Sequence, residues 1–244
     1  MSALIDYTLH LADNALILGQ RNSEWCGHGP ILEQDIAITN ISLDLIGQSR
    51  SLYQYAVQLK ADGSTEDSLA YLRTEREFKN CLLVEQPNGD WAQTMLRQFL
   101  FSSYQFYLYK YLQGNTDKTI AAIAEKSLKE VSYHLRWSSE WVIRLGDGTE
   151  ESRNRMLTAI DELWRYTGEL FIAAPYEIEL NIDLASLKTE WDNKVKAVME
   201  EATLPFPEKV FMQTGGKAGT HTEQLGYILS DLQYMQRVYP GCEW

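Results

Sequence analysis

Two carboxylates, Asp44 and Glu130, stand in helical stretches whose neighbouring positions are otherwise apolar. Carboxylates placed in this way could bind a pair of bridged metal ions. In helical bundles with such a centre, two helices each supply Glu-x-x-His, because residues three apart reach one cluster, and two further helices each supply a Glu. Here the third residue after each carboxylate is Gly47 or Tyr133. The histidines that would complete the motif are missing.

Helical projection turns both carboxylates towards the interior. At about 100° per residue, the stretch 31–61 aligns Asp44 with an apolar face, so that this side chain points into or beside the core. The same projection of 118–145 aligns Glu130 and His134 with two tryptophans. Because an unpaired buried charge is costly, each of these carboxylates needs a partner.

The helices that should supply the two remaining carboxylates lack them. The stretch 91–113 contains no Asp or Glu, and its inward stripe carries amides and a hydroxyl instead. On the first helix the inward position is Asn14, and the nearest carboxylate, Asp13, lies about 100° away around the helix. One histidine and two carboxylates fall short of the six protein ligands that such a centre uses.

Three interpretations of these residues remain open. The first is a buried polar network, in which Glu130 and His134 satisfy each other and Asp44 accepts a hydrogen bond from a cation or an amide. The second is a vestigial metal site inherited from a complete ligand set, and the third is a working metal site. The vestigial positions would be Asn14, Asp44, Gly47, Glu130, Tyr133 and His134.

Composition narrows the class of protein. The chain has 244 residues, 45% of them hydrophobic, which is enough for a sizeable core, and its formal net charge is −12. That charge disfavours nucleic acid and anionic membranes as partners. Three scattered cysteines indicate reduced thiols, and no apolar run reaches the roughly 20 residues of a membrane span. We therefore expect a cytoplasmic globular protein.

Helical periodicity dominates the chain, and the alternation typical of strands is scarce. We predict an all-α fold, a ferritin-like helical bundle with extra C-terminal helices, in a single domain over residues 1–244. Capping pairs are predicted at Asp90 with Gln93 and at Thr220 with Glu223. The predicted helices are 3–22, 31–61, 66–78, 91–113, 118–145, 150–172, 186–202 and 222–238.

Several long, ungapped runs resemble the C-subunit family of phenylacetyl-CoA epoxidases, and the resemblance covers the whole chain. The runs are Asp13–Arg21, Glu24–His28, Ala37–Arg50, Leu83–Gly89, Lys129–Arg136, Thr214–Gly219 with His221–Glu223, and Gln236–Gly241 with Trp244.

The resemblance implies a ferritin-like structural subunit of a bacterial multicomponent oxygenase that degrades phenylacetate. It implies that a homologous A subunit holds the di-iron centre, binds phenylacetyl-CoA and epoxidises its ring with O2. It also implies a heterodimer of the two that pairs into a heterotetramer, joined by other subunits and an NADPH-dependent reductase with FAD and iron–sulfur centres. No catalytic residue, metal or cofactor is expected in this chain itself.

The glycine-rich segment Thr214–Glu223 is the other candidate site. Its free backbone N–H groups, with Lys217 and His221, could receive a phosphate or carboxylate from a partner, including the catalytic subunit or its CoA ligand. It lacks the spacing of a Walker motif. The alternative is a glycine turn that ties down the last helix.

Two other classes of function compete with the structural subunit. One is a stand-alone di-metal oxygenase or oxidase that uses Asp44, Glu130 and His134. The other is a ferritin-like storage protein. Metal analysis after reconstitution would distinguish both from a scaffold without metal.

Overall fold

A computed structural model describes residues 2–242, and the all-α prediction is confirmed, since these residues contain helices, turns and loops but no β-strand. The described part of the chain also has 3₁₀ turns at Glu75–Glu77, Trp164–Tyr166, Gly168–Phe171 and Gly216–Ala218. None of the described helices combines the length and the apolarity that a membrane span requires. The α-helices are α1 Ala3–Ser23, α2 Leu32–Lys60, α3 Glu66–Tyr71, α4 Leu82–Glu85, α5 Trp91–Leu112, α6 Lys118–Gly146, α7 Glu150–Leu163, α8 Pro175–Glu179, α9 Leu184–Glu201 and α10 Glu223–Val238.

The contacts within the chain divide it into two compact units. Unit 1 contains α1 to α4, α8 and α10, and unit 2 contains α5 to α7 and α9. Neither unit is continuous in sequence, because residues 173–181 belong to unit 1 although unit 2 surrounds them in the chain. The single domain over residues 1–244 stays a prediction.

Unit 1 is built around α1, which is buried along most of its length and packs against α2, α4, α8 and α10. A glycine permits the close approach of the two long helices. A Cβ atom at Gly19 would lie only 3.2 Å from the Cβ of Leu45 and 3.4 Å from the carbonyl oxygen of Ser42. An alanine at position 19 would therefore require α1 and α2 to move apart by a few tenths of an ångström.

Unit 2 is built around α5, which packs against α6, α7 and α9. Its aromatic residues fill the centre of the unit, and Phe99, Phe101 and Tyr104 are almost completely buried. The indole N–H of Trp191 on α9 donates to the carbonyl oxygen of Leu100 at 2.9 Å. Residues 94–105 of α5 are all buried, so this part of the helix lies in the interior of the fold.

Most predicted helix borders lie within two residues of those observed, with two exceptions. The predicted helix 150–172 ends at Leu163 and continues as two 3₁₀ turns, and the predicted helix 66–78 is the short α3 followed by a 3₁₀ turn. Asp90 caps α5 as predicted. The capping box at Thr220 is wrong, because the hydroxyl of Thr222 accepts from the N–H of Gln224 and the helix begins at Glu223.

Candidate functional site

In unit 1, the predicted vestigial positions do not form a cluster of metal donors. Asn14 is buried between backbone groups: its amide donates to the carbonyl of His10 at 2.9 Å and its Oδ1 accepts from the N–H of Cys81 at 2.8 Å. Asp44 is half-buried and Gly47 is exposed on α2. Asn14 therefore serves to hold α1 against the segment before α4.

In unit 2, the three predicted positions on α6 face different ways. His134 is fully buried, Glu130 is half-buried and Tyr133 is 37% exposed. The pKa of Tyr109 is raised, chiefly by burial and further by the charge of Glu130. Glu130 thus lies near the inner side of α5, whereas Tyr133, in the place of a histidine ligand, points outward.

The inner face of α5 offers amides and hydroxyls in place of carboxylates. The side chain of Gln98 donates to the hydroxyl of Ser102 at 2.7 Å, and that of Gln105 donates to the hydroxyl of Tyr109 at 3.3 Å. All four residues are buried. Neutral groups that satisfy one another along a helix are poor ligands for hard, highly charged metal ions.

The residues of this chain do not fit a two-metal centre. Glycine and tyrosine occupy the positions where histidine ligands are needed, and α5 supplies no carboxylate. Among residues 2–242, no group of three or more His, Cys, Asp or Glu is placed to hold a metal ion.

Three buried carboxylates of unit 1 are paired with protein groups instead of a metal ion. The first of them is Asp13 on α1. Both of its oxygens accept from the guanidinium of Arg73, and it also accepts from the hydroxyl of Tyr53 at 2.5 Å and the N–H of Lys79 at 2.8 Å. Arg73 in turn lies 4.2 Å from the centre of the Phe78 ring. Asp13 is therefore neutralised and hydrogen-bonded within the unit.

Glu177 on α8 is the second buried carboxylate. The ammonium of Lys217 lies 3.0 and 2.9 Å from its two oxygens, and the N–H of Ala174 donates to it at 2.8 Å. His10 faces the same carboxylate, with Nε2 at 4.0 Å. Burial lowers the pKa of His10 to about 4, Glu177 opposes this shift and Lys217 adds to it.

The hydrogen bonds of His10 agree with a neutral ring. Its Nδ1 lies 2.7 Å from the carbonyl oxygen of Lys79, and since a carbonyl can only accept, Nδ1 carries the proton. The unprotonated Nε2 is the atom on the side of Glu177. Lys217 alone therefore supplies the positive charge for Glu177 at neutral pH.

Glu85 at the end of α4 is the third buried carboxylate. It accepts from Nδ1 of His221 at 2.8 Å, from the N–H and hydroxyl of Thr222 at 2.7 and 2.8 Å, and from the amide of Asn80 at 2.9 Å. The other nitrogen of His221, Nε2, donates to the carbonyl of Phe78 at 3.0 Å. With acceptors at both nitrogens, the ring of His221 is an imidazolium.

The pKa of His221 shifts in the direction that this geometry requires. Burial by itself would lower the pKa, but the hydrogen bond and the charge of Glu85, with the carbonyl of Phe78, outweigh burial and raise it. The two buried histidines of unit 1 are thus in opposite states, because His221 faces two acceptors and His10 shares its carboxylate with a lysine.

This geometry favours the tie-down interpretation of the glycine-rich segment. Lys217 and His221 are buried and point at Glu177 and Glu85, away from any external anion. A Cβ atom at Gly216 would lie 2.2 Å from the carbonyl oxygen of Asn80, so the backbone passes too close for any other residue. Contact of Lys217 and His221 with a partner's anion stays a prediction, and the structure gives both side chains an internal role.

Comparison with known proteins agrees with this fold. The family model described as phenylacetic acid catabolic protein matches residues 1–244. A curated relative from Escherichia coli (strain K12), the C subunit of 1,2-phenylacetyl-CoA epoxidase, is 47% identical over 249 residues, which cover 100% of each chain. The chain belongs to the phenylacetic acid catabolic protein family. Its ferritin-like helical fold and its connection with phenylacetate catabolism are thereby confirmed.

One further surface of this family member is notable because it is apolar and exposed. We call it the outward face of α2. Its residues lie within about 40° of a single line along the helix, whereas the buried residues Ile41, Leu45 and Leu52 lie on the opposite side. The outward face of α2 consists of Leu32, Ile36, Leu43 and Ile46, with exposed fractions of 72, 52, 61 and 40%.

Sequence reasoning missed the three buried carboxylates and the outward face of α2. The sequence does indicate that two of the carboxylates are buried, since Glu85 ends the apolar run Leu82–Val84 and Asp13 lies within an apolar helix. It also indicates the outward face of α2, because large apolar residues form two stripes on opposite sides of this helix.

Proposed function

We propose that this chain is the structural, non-catalytic subunit of a multicomponent phenylacetyl-CoA epoxidase in the cytoplasm. In this proposal it binds a homologous A subunit that holds the di-iron centre, and the catalytic subunit epoxidises the ring of phenylacetyl-CoA with O2. The heterodimer pairs into a heterotetramer. Further subunits and an NADPH-dependent reductase with FAD and iron–sulfur centres complete the complex.

The observation that carries the proposal is the donor set inside the bundle. Residues at the positions of metal ligands are Gly47 and Tyr133, and the carboxylates that are deeply buried in unit 1 are neutralised by Arg73, Lys217 and His221. The buried carboxylates of unit 1 thus form ion pairs inside the protein, and the helical bundle lacks the ligands that a di-metal protein of this fold uses to bind its metal ions. The Escherichia coli relative is named as the C subunit of an epoxidase, and this name supports a role within a complex.

Co-expression with the homologous A subunit tests the proposal. We expect the two chains to purify together in equal amounts, and we expect epoxidation of phenylacetyl-CoA by the A subunit to fall when this chain is left out. A chain that stays separate from the A subunit would overturn the proposal. So would an isolated chain that binds iron stoichiometrically and turns over phenylacetyl-CoA.

Conservative variants at the vestigial positions sharpen the test. Asp44→Asn and Glu130→Gln remove a negative charge and keep the side-chain shape, so a structural subunit retains full turnover in the complex. The matched control is the same change at a metal-ligating carboxylate of the A subunit, which should abolish turnover. If Asp44→Asn or Glu130→Gln abolished turnover in a complex that still assembles, these residues would have a chemical role.

A further inference from the structure

The side of α6 that faces away from the interior carries a row of basic residues. They lie within about 40° of one line along the helix, and the buried residues Ala124, Val131 and Leu135 lie on the opposite side. All of these basic residues are exposed, and together they extend over about 27 Å at 1.5 Å per residue. We call them the basic row of α6: Lys118, Lys126, Lys129 and Arg136.

The basic row of α6 contrasts with the charge of the whole chain. The formal net charge is −12, yet residues 91–136 contain six basic and three acidic residues. The remainder of the chain is therefore even more acidic than the total suggests. A local surplus of positive charge on an acidic molecule directs a partner of opposite charge to that place.

The residues of the basic row form no ion pair within the part of the chain that the structure describes. Acidic residues do stand at the spacing of helical ion pairs, since Glu125 lies four residues before Lys129 and Glu130 lies four residues after Lys126. Neither of them pairs with these lysines. The positive charges of the row are thus left for a group outside the chain.

The C-terminal end of the basic row includes an aromatic ring and is bounded by an ion pair. The guanidinium of Arg136 lies 5.8 Å from the centre of the Tyr133 ring, and Tyr133 is 37% exposed on the same side of the helix. Its hydroxyl can donate to a carboxylate. Glu140, about one turn further on, pairs with Arg144 at 4.0 Å and so does not neutralise Arg136.

The spacing of the basic row fits the carboxylates of a protein better than the phosphates of a nucleic acid. The row has one positive charge per about 9 Å of helix, whereas duplex DNA carries one negative charge per about 1.7 Å. The acidic remainder of the chain would also repel a polyanion or an anionic membrane. Carboxylates on one side of a helix recur every three or four residues, which matches Lys126 with Lys129 and, at twice that interval, Lys129 with Arg136.

A charged row is suited to a partner that binds reversibly. Permanent interfaces have a largely apolar core, but apart from Tyr133 the exposed residues of α6 include no large apolar side chain. Complementary charges on exposed surfaces chiefly raise the rate of association, and salt weakens their effect. The expected contact is therefore fast to form and sensitive to ionic strength.

We propose that the basic row of α6 is the docking site for an acidic protein that binds reversibly and presents carboxylates one to two helical turns apart. The inference rests on the proposed function, because the partner is taken to be a component of the same complex other than the A subunit. Lys126, Lys129 and Arg136 pair with carboxylates of that component. The contact lies on the surface of unit 2 and needs no metal in this chain.

Carbodiimide cross-linking of the assembled complex tests the inference. The reagent joins the amine of a lysine to a carboxylate in contact with it as an amide, with loss of water and without a spacer. We expect peptides in which Lys126 or Lys129 is joined to an Asp or Glu of a component other than the A subunit. The matched control residues are Lys196 and Lys209, which are exposed on other segments and should remain unlinked. Row lysines that link to no other chain, or only to a second copy of this chain, would overturn the inference.

Charge reversal measures what the row contributes to association. A row variant changes Lys126, Lys129 and Arg136 to Glu. At low salt it should bind the cross-linked component at least about tenfold more slowly than wild type, and the two rates should converge at high salt. Equal rates for this variant and its control would contradict the inference. The control variant reaches the same net charge by changing three scattered, exposed cations to Glu: Arg76, Lys196 and Lys209.

Two readouts distinguish this inference from the proposed function. The row variant should still purify with the A subunit in equal amounts and keep its thermal stability, because the row forms no ion pair within the described part of the chain. A wild-type chain that fails to bind the A subunit would refute the proposed function and the inference with it. An intact pair with the A subunit, in which the row variant binds every other component as fast as the control variant, would refute the inference alone.

Discussion

Removal of the Lys217 ammonium is the sharpest test of how unit 1 is held together. Lys217→Met keeps the length of the side chain and leaves the carboxylate of Glu177 buried, with the N–H of Ala174 as its remaining close donor. Breaking a buried ion pair by removing one partner costs about 3–5 kcal/mol. Since a domain is stable by about 5–15 kcal/mol, this loss should be plain in urea denaturation at pH 8.

The neighbouring histidine makes the loss depend on pH. Lys217 is one of the groups that lower the pKa of His10, so this pKa should rise from about 4 in the variant. A protonated His10 then faces Glu177 across 4.0 Å and replaces part of the lost charge. Wild type loses stability as the pH falls from 6.5 towards 4, because unfolded His10 binds a proton that folded His10 does not. A variant with a higher His10 pKa loses less, so the difference from wild type should be smaller at pH 5 than at pH 8.

Two comparisons complete the test. The double variant Lys217→Met with Glu177→Gln removes both charges and should recover much of the lost stability, which measures the coupling between the two residues. Lys188→Met breaks the exposed pair with Asp192 and should cost less than about 1 kcal/mol. If Lys217→Met were as stable as wild type but failed in assembly or turnover, Lys217 would be a partner contact and the tie-down interpretation would be refuted.

Three further predictions follow from the same contacts. Arg73→Met leaves Asp13 buried without its cation and should lower the free energy of unfolding by about 3–5 kcal/mol in urea denaturation. The raised pKa of His221 adds stability that is fully present below pH 6.5 and is lost as pH rises through the folded-state pKa. The free energy of unfolding of wild type should therefore exceed that of His221→Gln by more at pH 6 than at pH 9. An equal difference at both pH values would contradict the imidazolium assignment. Glu130→Ala should lower stability by about 1–3 kcal/mol in thermal unfolding without reducing turnover of the assembled complex, whereas lost turnover at unchanged stability would contradict its structural role.

The sequence predicts the long helices well because each has a strong period and clear end signals. α5 and α6 begin within one residue of their predicted starts, and the capping aspartate of α5 is confirmed. The short helices α4 and α8 are too short for periodicity to show, and each is held by contacts with segments distant in the chain. Helical periodicity and capping residues therefore predict α5 but do not predict α8.

For the candidate site, the sequence predicts only which metal ligands are missing. Gly47 and Tyr133 are visible in the sequence as residues that cannot replace histidine ligands. The partners of the buried carboxylates are not visible, because Lys217 lies 40 residues from Glu177 and His221 lies 136 residues from Glu85. A lysine in a glycine-rich segment looks exposed when only its neighbours in sequence are considered. Its burial depends on where α8 lies in the folded unit.

Unit 1 combines residues 2–86 with residues 215–242, and this has a consequence for synthesis on the ribosome. Residues 2–86 emerge well before Lys217 and His221, which neutralise Glu177 and Glu85. Until then two carboxylates of a future interior have no cation, and closing the unit requires contacts of very large sequence separation. Unit 2 can form earlier, during translation. Unit 1 therefore finishes folding only after Lys217 and His221 have been synthesised, and a chain truncated before residue 215 should leave Glu177 and Glu85 without their cations.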